Sequence, residues 1–569
     1  MQPAMTTRDV PEQATQALRS AGLHPVMARL LAARGVRAAE ELGTDLRALL
    51  PPEGMLGLEQ AADLLAGAAQ SQESVLVVAD YDCDGATACA VAVRGLRALG
   101  LRVDYLVPNR FEHGYGLTPA IVDLAAAHPR LGKPALIVTV DNGIASVEGV
   151  ARARDLGIAV LVTDHHLPGD QLPDAAAIVD PNQPGCPFAS KHLAGVGVMF
   201  YLLLALRARM RRAGVFGDRA EPPLQSLLDL VALGTVADLV RLDRNNRLLV
   251  AAGLRRIRAG HAHPGVTALF EASGRDPRRA NCSDLGFALG PRINAAGRLA
   301  DISMGVECLL TDDAEHARAL AAQLDTINRE RRHIESRMRE EALADADGLA
   351  ADSLSIVVFR DAWHEGVIGL VASRLKDRHH RPVVAFARSA ADASLLRGSG
   401  RSIAGVHLRD LLDLVSKRHP GLILRFGGHA MAAGLTLAAS ELDRFTAALE
   451  QAIRDFADDD VFEPSLLTDG PLAADEFDLR LVDAIDGAVW GQGFPAPVFS
   501  DVAQVLSQRL VKDRHLRVDL RMQGRRFSGI AFGRTDPLPP IARIAYRVSR
   551  DEYRGVAEIQ LLIEAAQAE

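Results

Sequence analysis

The sequence is poor in cysteine, and the five it has (Cys83, Cys89, Cys186, Cys282 and Cys308) are scattered, with no pair at CxxC spacing. That pattern offers neither a disulfide framework nor a zinc ribbon, and it fits a reducing cytoplasm. Long apolar runs are missing too. No uninterrupted stretch reaches membrane-spanning length, and Met1 to Val10 lack the basic-then-apolar layout of a signal peptide. The expectation is a cytoplasmic protein with no membrane role. An excess of positive charge is also absent: the formal net charge is −8. A polyanion must therefore be held by local basic patches or by metal. Lysine is scarce, at five of the 64 basic residues. Arginine suits bidentate phosphate contacts, but an Arg- and Ala-rich compositional bias explains the skew equally well, and it decides nothing.

At 569 residues the chain is too long for one core, and three or four domains are expected. Residues 1–55 read as a small helical preface, with apolar groups at helical spacing from His24 to Leu31 and a stop at Pro51-Pro52. Residues 56–250 read as one domain, in which strand and helix patterns alternate to about residue 180 before helices and loops mix. Residues 251–349 are helical, 350–456 restart a strand–helix–strand pattern, and 457–569 alternate apolar with polar residues as a small antiparallel barrel would.

The most informative stretch is Val75-Leu76-Val77-Val78-Ala79-Asp80-Tyr81-Asp82-Cys83-Asp84-Gly85. A short β-branched run reads as a buried strand and breaks into three alternate aspartates before a helix. Such a triplet repels itself unless a hard divalent cation sits among the carboxylates. Taken alone, it also reads as a solvated acidic turn or as an N-cap. The surrounding pattern adds weight. Strands expected at Val75–Ala79, Val103–Val107, Leu136–Val140, Ala159–Thr163 and Ala176–Val179 imply a doubly wound parallel sheet, whose ligands sit at the carboxyl ends of the strands. Those ends read Asp80, Asn109-Arg110, Asp141-Asn142, Asp164-His165-His166 and Asp180. One acid there is commonplace as a helix cap; four acids and a double histidine exceed what capping requires.

Asp80, Asp82, Asp84, Asp141, Asp164, His165 and His166 form an oxygen-and-imidazole set suited to Mn²⁺ or Mg²⁺. The donors are too many for one ion. Two ions about 3.5–4 Å apart, sharing one bridging carboxylate, would use them. Asp238, ending the apolar run Ala232–Ala237, completes the set.

Asp82-Cys83-Asp84-Gly85, Val140-Asp141-Asn142-Gly143, Asp164-His165-His166 and Gly234-Thr235-Val236-Ala237-Asp238 resemble, in order and spacing, the four motifs of the DHH phosphoesterases. The runs Pro108-Asn109-Arg110-Phe111 to Leu117, Gly290-Pro291-Arg292-Ile293-Asn294-Ala295-Ala296-Gly297-Arg298, His364–Gly369 and Arg425–Ala430 resemble the RecJ branch. The resemblance implies an α/β fold: a doubly wound DHH domain, a long connecting helix, a smaller DHHA1 domain and a C-terminal barrel of the oligonucleotide-binding (OB) type. It also implies roles. Asp80 (where other DHH branches place histidine) and Asp82 would hold one metal. Asp84, His165 and Asp238 would hold the other, with Asp141 bridging. Asp164 would orient its neighbouring histidine, and His166 would face the scissile phosphate. Arg110, Arg292, Asn294 and Arg298 would contact the 5′ end or nearby backbone. Arg401, Gly427, Gly428 and His429, on glycine-flanked loops of the DHHA1 region, would bind substrate. Cys83 between two ligands reads as a packing residue.

Leu309 to Ala346 carries one helical stripe (Leu320, Leu324, Ile327, Ile334, Met338) and reads as a rigid connector capped by Thr311-Asp312-Asp313. In the barrel, Pro497–Leu506, His515–Met522, Arg525–Phe532 and Val556–Ile563 are the expected strands. Phe494, Phe499, Phe527, Tyr546 and Tyr553 include candidate base-stacking platforms beside Arg514, Arg517, Arg525 and Arg526; most aromatics of so small a barrel are core. The function implied is a two-metal 5′-to-3′ exonuclease on single-stranded DNA with a free 5′ end, working with a single-stranded-DNA-binding protein and a helicase in repair and recombination. The alternatives are a DHH phosphodiesterase for short oligoribonucleotides or cyclic dinucleotides, and a non-catalytic scaffold, whose signature would be missing ligands.

Overall fold

The computed structural model describes residues 3–109, 113–348, 353–390, 392–552 and 556–569. Arg110, Phe111, Tyr553 and Gly555 lie outside the described residues. The chain forms two compact units, one of Val10–Asn328 with Asp483–Ala496, the other of Met1–Asp9, Arg329–Val482 and Pro497–Glu569.

The first unit is built on a five-stranded, all-parallel sheet of β1 (Ser74–Ala79), β2 (Arg102–Leu106), β3 (Leu136–Val140), β4 (Ala159–Thr163) and β5 (Ala177–Val179), in the order β2-β1-β3-β4-β5. Apart from the edge strand β2, which carries Arg102 and Asp104, the strands are largely apolar on both sides, as a sheet covered on both faces requires. Leu76, Val78, Ile137, Val160 and Val162 pack on Ile121, Val122, Val150 and Ala153 from the helices of one face. By strand alternation Val75, Val77, Val138 and Leu161 are buried on the other, where α1 (Cys83–Ala98) and α2 (Gly195–Arg212) lie. Two further helices matter to the site: α3 (Leu228–Ala237) and α4 (Gly290–Leu299). Because β2 and β3 flank β1 on opposite sides, the chain reverses its winding direction there. Ligand crevices form at such a switch point, and Asp80 and Asp141 stand on its two sides.

Helix α5 (Ala314–Asp347) begins in the first unit and ends in the second. It starts five residues later than the sequence pattern suggests, because Ser303–Leu310 is a helix of its own. Asp313 Oδ1 caps α5, accepting from the N–H groups of Glu315 and His316 at 2.8 and 3.3 Å.

The second unit contains a mixed sheet of β6 (Ile356–Phe359), β7 (Val383–Arg388), β8 (Leu395–Arg401), β9 (Arg425–Gly428) and β10 (Ala432–Ala438), ordered β9-β10-β8-β7-β6. Phe386, Leu408, Leu412, Phe445 and Leu449 fill its core. A closed barrel follows: β11 (Phe499–Val511), β12 (His515–Met522), β13 (Arg525–Ala531), β14 (Ile541–Asp551) and β15 (Glu558–Ala568), ordered β11-β12-β13-β15-β14. Three findings depart from the sequence reading. β14 is a fifth strand that the pattern hid, because Ile541-Ala542-Arg543-Ile544-Ala545-Tyr546-Arg547 groups its apolar residues between arginines instead of alternating them one by one. The barrel closes through a parallel ladder, Ser528 to Ile530 beside Gln560 to Leu562, so it is not wholly antiparallel. Ala4–Thr7, inside the supposed helical preface, is a strand paired parallel with Ser465–Thr468.

The candidate stacking aromatics that the structure describes are interior. Phe499, Phe527 and Tyr546 are buried, and Tyr546 Oη donates to Asp501 Oδ2 at 2.7 Å. Phe494 belongs to the first unit, stacked on Trp490 with Arg247 over its ring. These four are therefore not stacking platforms; a barrel this small needs its aromatics as filling. All five cysteines are buried and free. Among the described residues no helix is long and apolar enough to cross a membrane.

Candidate metal centre

Three neighbouring strands each end in an acid, and the sheet ladder carries on one step into those residues. Asp80 N–H donates to Val140 O at 3.3 Å, Asp141 N–H to Thr163 O at 3.1 Å and Asp164 N–H to Val179 O at 3.1 Å. The three residues thus stand in a row at one sheet edge. Asn142 Nδ2 ties the ends of β1 and β3 together, donating to Val78 O and Val140 O at 3.2 and 2.9 Å.

After β1 the chain turns directly into α1. Asp82 is the N-cap, its Oδ1 accepting from Gly85 N–H at 3.0 Å. Asp84, in the first turn, is fully buried. Its two oxygens accept the N–H groups that open α2, Gly195 to Oδ2 at 2.6 Å and Val196 to Oδ1 at 3.0 Å. Asp141 is held in the left-handed region at φ 63°, a conformation that asparagine and aspartate adopt more readily than most residues.

The donors gather into overlapping groups. Ligand atoms of Asp80, Asp82 and Asp141 lie within 4.8 Å of one another, as do those of Asp84, His165 and Asp238 and those of Asp141, His165 and His166. His165 Nε2 stands 3.0 Å from Asp141 Oδ1, 3.5 Å from Asp238 Oδ2 and 4.0 Å from Asp84 Oδ2. Asp238 is delivered by the C-terminus of α3.

Asp164 faces the other way. Its Oδ1 accepts from His165 N–H at 2.7 Å and from His166 N–H at 3.2 Å, and lies 2.7 Å from His166 Nδ1, while Oδ2 accepts from Ile144 N–H at 2.9 Å. It orders the turn that carries both histidines. Tyr115 Oη lies 3.3 Å from the His166 ring nitrogens and packs edge-on to Tyr81.

The electrostatics of the cluster call for a cation. Burial, then repulsion from Asp82, pushes Asp84 up to about 7, against the lowering effect of the two α2 N–H groups. Asp141 and Asp238 are raised well above the usual carboxylate range by burial and by the other acids. Burial lowers His166, but Asp164 and the carboxylates of Asp238 and Asp80 outweigh it and hold the imidazole at about 9. Asp141 Oδ1 is buried and accepts no hydrogen bond among the described residues. Oxygen donors with one or two imidazoles, mutually repelling and partly unsatisfied, fit Mn²⁺ or Mg²⁺.

Three family models match the chain: the DHH family N-terminal domain at residues 74–235, the DHHA1 domain at 352–455 and the RecJ OB domain at 468–565. The chain is 48% identical over 559 residues to the single-stranded-DNA-specific exonuclease RecJ of Salmonella typhimurium, covering 96% of each protein. It is 47% identical over 559 residues to the protein of the same name from Escherichia coli, again 96% of each. The chain belongs to the RecJ family. Its fold matches the structure of RecJ from Thermus thermophilus in complex with Mn²⁺, with a TM-score of 0.83 and 30% identity over 100% of this chain and 79% of that one. The Mg²⁺ complex from the same organism matches with a TM-score of 0.77 and 28% identity, over 100% of this chain and 78% of that one.

The RecJ-type substrate residues fall in several places. Arg292 is only 6% exposed. Its Nη2 pairs with Asp325 Oδ1 at 2.8 Å and its Nη1 donates to Ala288 O at 2.6 Å. Asn294 Oδ1 accepts from Cys83 N–H at 2.7 Å, inside the metal loop. Arg298 is half-buried one turn on. In the second unit, half-buried Arg401 donates to Ser399 Oγ at 3.1 Å and to Gly400 O at 2.7 Å, and burial lowers its pKa. Gly428 closes the β9–β10 hairpin, with His429 N–H donating to Ala432 O at 2.8 Å. Gly427 borders open space.

Three residues to which the sequence assigns no role, Asn182, Gly195 and Gly234, also shape the site. Asn182 Nδ2 donates to His165 O at 2.6 Å. Gly195 and Gly234 leave room for Asp141 and Asp84, whose side chains stand where a Cβ would reach. A glycine within an apolar helical run is the one sequence signal for such a packing role.

Proposed function

We propose that this chain is a two-ion exonuclease that removes nucleotides from the 5′ end of single-stranded DNA. The observation that carries the reading is the division of six ligands into Asp80/Asp82/Asp141 and Asp84/His165/Asp238 groups. Asp141 is the natural bridge, since its carboxylate belongs to the first group and lies 3.0 Å from His165 of the second. Near-full-length identity to proteins named as single-stranded-DNA-specific exonucleases supports the substrate class.

Two divalent ions, when bound, polarise the scissile phosphate and lower the pKa of the attacking water. The chain's residues do the rest. Asp164 holds Nδ1 of His166 and keeps the ring protonated, so that Nε2 can donate to the charge developing on the phosphate or to the leaving oxygen. The N–H groups of Gly195 and Val196 fix Asp84 against the repulsion of its neighbours. Arg110 and Arg298 are the candidates for reading the 5′ end, and Arg401, Gly427, Gly428 and His429 of the DHHA1 domain are candidates for binding substrate. The OB barrel adds salt-sensitive grip on the strand. The reading places the protein in the cytoplasm, with a helicase supplying unpaired strand and a single-stranded-DNA-binding protein presenting it.

The test is stepwise digestion of labelled single strands with Mn²⁺. Activity should run from the 5′ end, favour long strands over dinucleotides and vanish in Asp141→Ala, with the fold intact by circular dichroism. Retention of most activity in that variant would refute the bridging role.

A further inference from the structure

The metal loop is also the start of a helix, and the first N–H groups of a helix have no partner within it. Asp82 caps α1, but Oδ1 is committed to Gly85 N–H, which leaves Oδ2 for an ion. The N–H of Cys83, a residue 1% exposed between two ligands, needs an acceptor from elsewhere. It finds one on α4, donating to Asn294 Oδ1 at 2.7 Å. A backbone amide only donates, so the facing atom is the side-chain carbonyl oxygen. Three residues on, and so on the same helix face, Gly297 lies against the loop so closely that any Cβ would overlap Tyr81 O. The helix is itself pinned by the buried Arg292–Asp325 pair. A neutral acceptor suits the position, because another carboxylate would add repulsion to five already crowded together.

We infer that α4 is a brace for the metal loop, with Asn294 the positioning residue that sets the spacing of Asp82 and Asp84 and hence of the two ion sites they serve. The inference rests on the two-ion reading above. It assigns Asn294 to the loop rather than to the DNA backbone.

Mn²⁺ binding by calorimetry, with KM for a long single strand at saturating Mn²⁺, tests it. Asn294→Ala should weaken Mn²⁺ binding about tenfold or more, as loss of outer support to metal ligands does, with KM unchanged and activity recovering in excess Mn²⁺. If Asn294→Ala does not fold, Gly297→Ala pushes on Tyr81 O with Asn294 in place, and the same loss of Mn²⁺ affinity is expected. Unchanged Mn²⁺ affinity, or a raised KM alone, overturns the brace. A native protein that binds no Mn²⁺ overturns the two-ion reading and the brace together.

Discussion

Gly195 has no Cβ, and one built there would stand 2.6 Å from the Cβ of Asp141. The same residue's N–H holds Asp84 Oδ2 at 2.6 Å. One position therefore supports Asp84 of one donor group and makes room for Asp141, the residue proposed to bridge both. Gly195→Ala should displace Asp141, since overpacking costs about 1–3 kcal/mol when neighbours cannot yield. The expected outcome is a folded protein with a lower melting temperature and weakened Mn²⁺ binding. A variant with native Mn²⁺ affinity would show that the site relaxes freely around the added methyl.

On the two-ion proposal, metal and protons compete for the same carboxylates. A group whose pKa is raised by folding contributes stability that is complete below its unfolded value, about 4 for aspartate. That contribution fades as pH rises through the folded value, about 7 for Asp84. Asp141 and Asp238 shift in the same direction. The metal-free protein should therefore lose thermal stability between pH 5 and pH 8. Saturating Mn²⁺ should raise the melting temperature more at pH 8 than at pH 5. Equal increments at both values, by differential scanning fluorimetry, would count against repulsion among these acids.

The Arg292–Asp325 pair is buried on both sides. Removing one partner leaves a buried charge, and Arg292→Ala should cost about 3–5 kcal/mol in urea unfolding. The double variant Arg292→Met with Asp325→Leu should recover much of that loss. Were Arg292 instead a surface contact for DNA, the single variant would unfold at the native urea concentration.

Gly427 and Gly428 are adjacent but not equivalent. Gly428 sits at φ 142° and a Cβ there would overlap Ala432 O, so Gly428→Ala should destabilise the protein by about 1–3 kcal/mol. Gly427 has nothing within 4 Å of a built Cβ. Gly427→Ala should leave chemical denaturation unchanged and alter only KM, if that open face receives the strand.

How much was legible in the sequence follows from how local each signal is. The acids at the ends of β1, β3 and β4 announce themselves, because a β-branched run and the Asp after it are contiguous. Asp238 carries no such mark; it stood out through its motif. Arg292 was expected at the substrate because its partner Asp325 lies 33 residues further on, invisible to any short window. Asn182 and Asn294 act on backbone groups of distant loops, and a backbone acceptor or donor has no letter of its own. Strand β14 was hidden because its apolar residues come in groups between arginines rather than at every second position, and Ala4–Thr7 by needing a partner more than 450 residues away.

The burial of every thiol has a practical use. Desolvation raises the Cys83, Cys89, Cys282 and Cys308 thiols, and buried thiols with little thiolate react slowly with electrophiles. One cysteine placed on an exposed loop would become the preferred address for a maleimide dye. Fluorescent or spin-labelled protein could then be prepared with all five native thiols left in place.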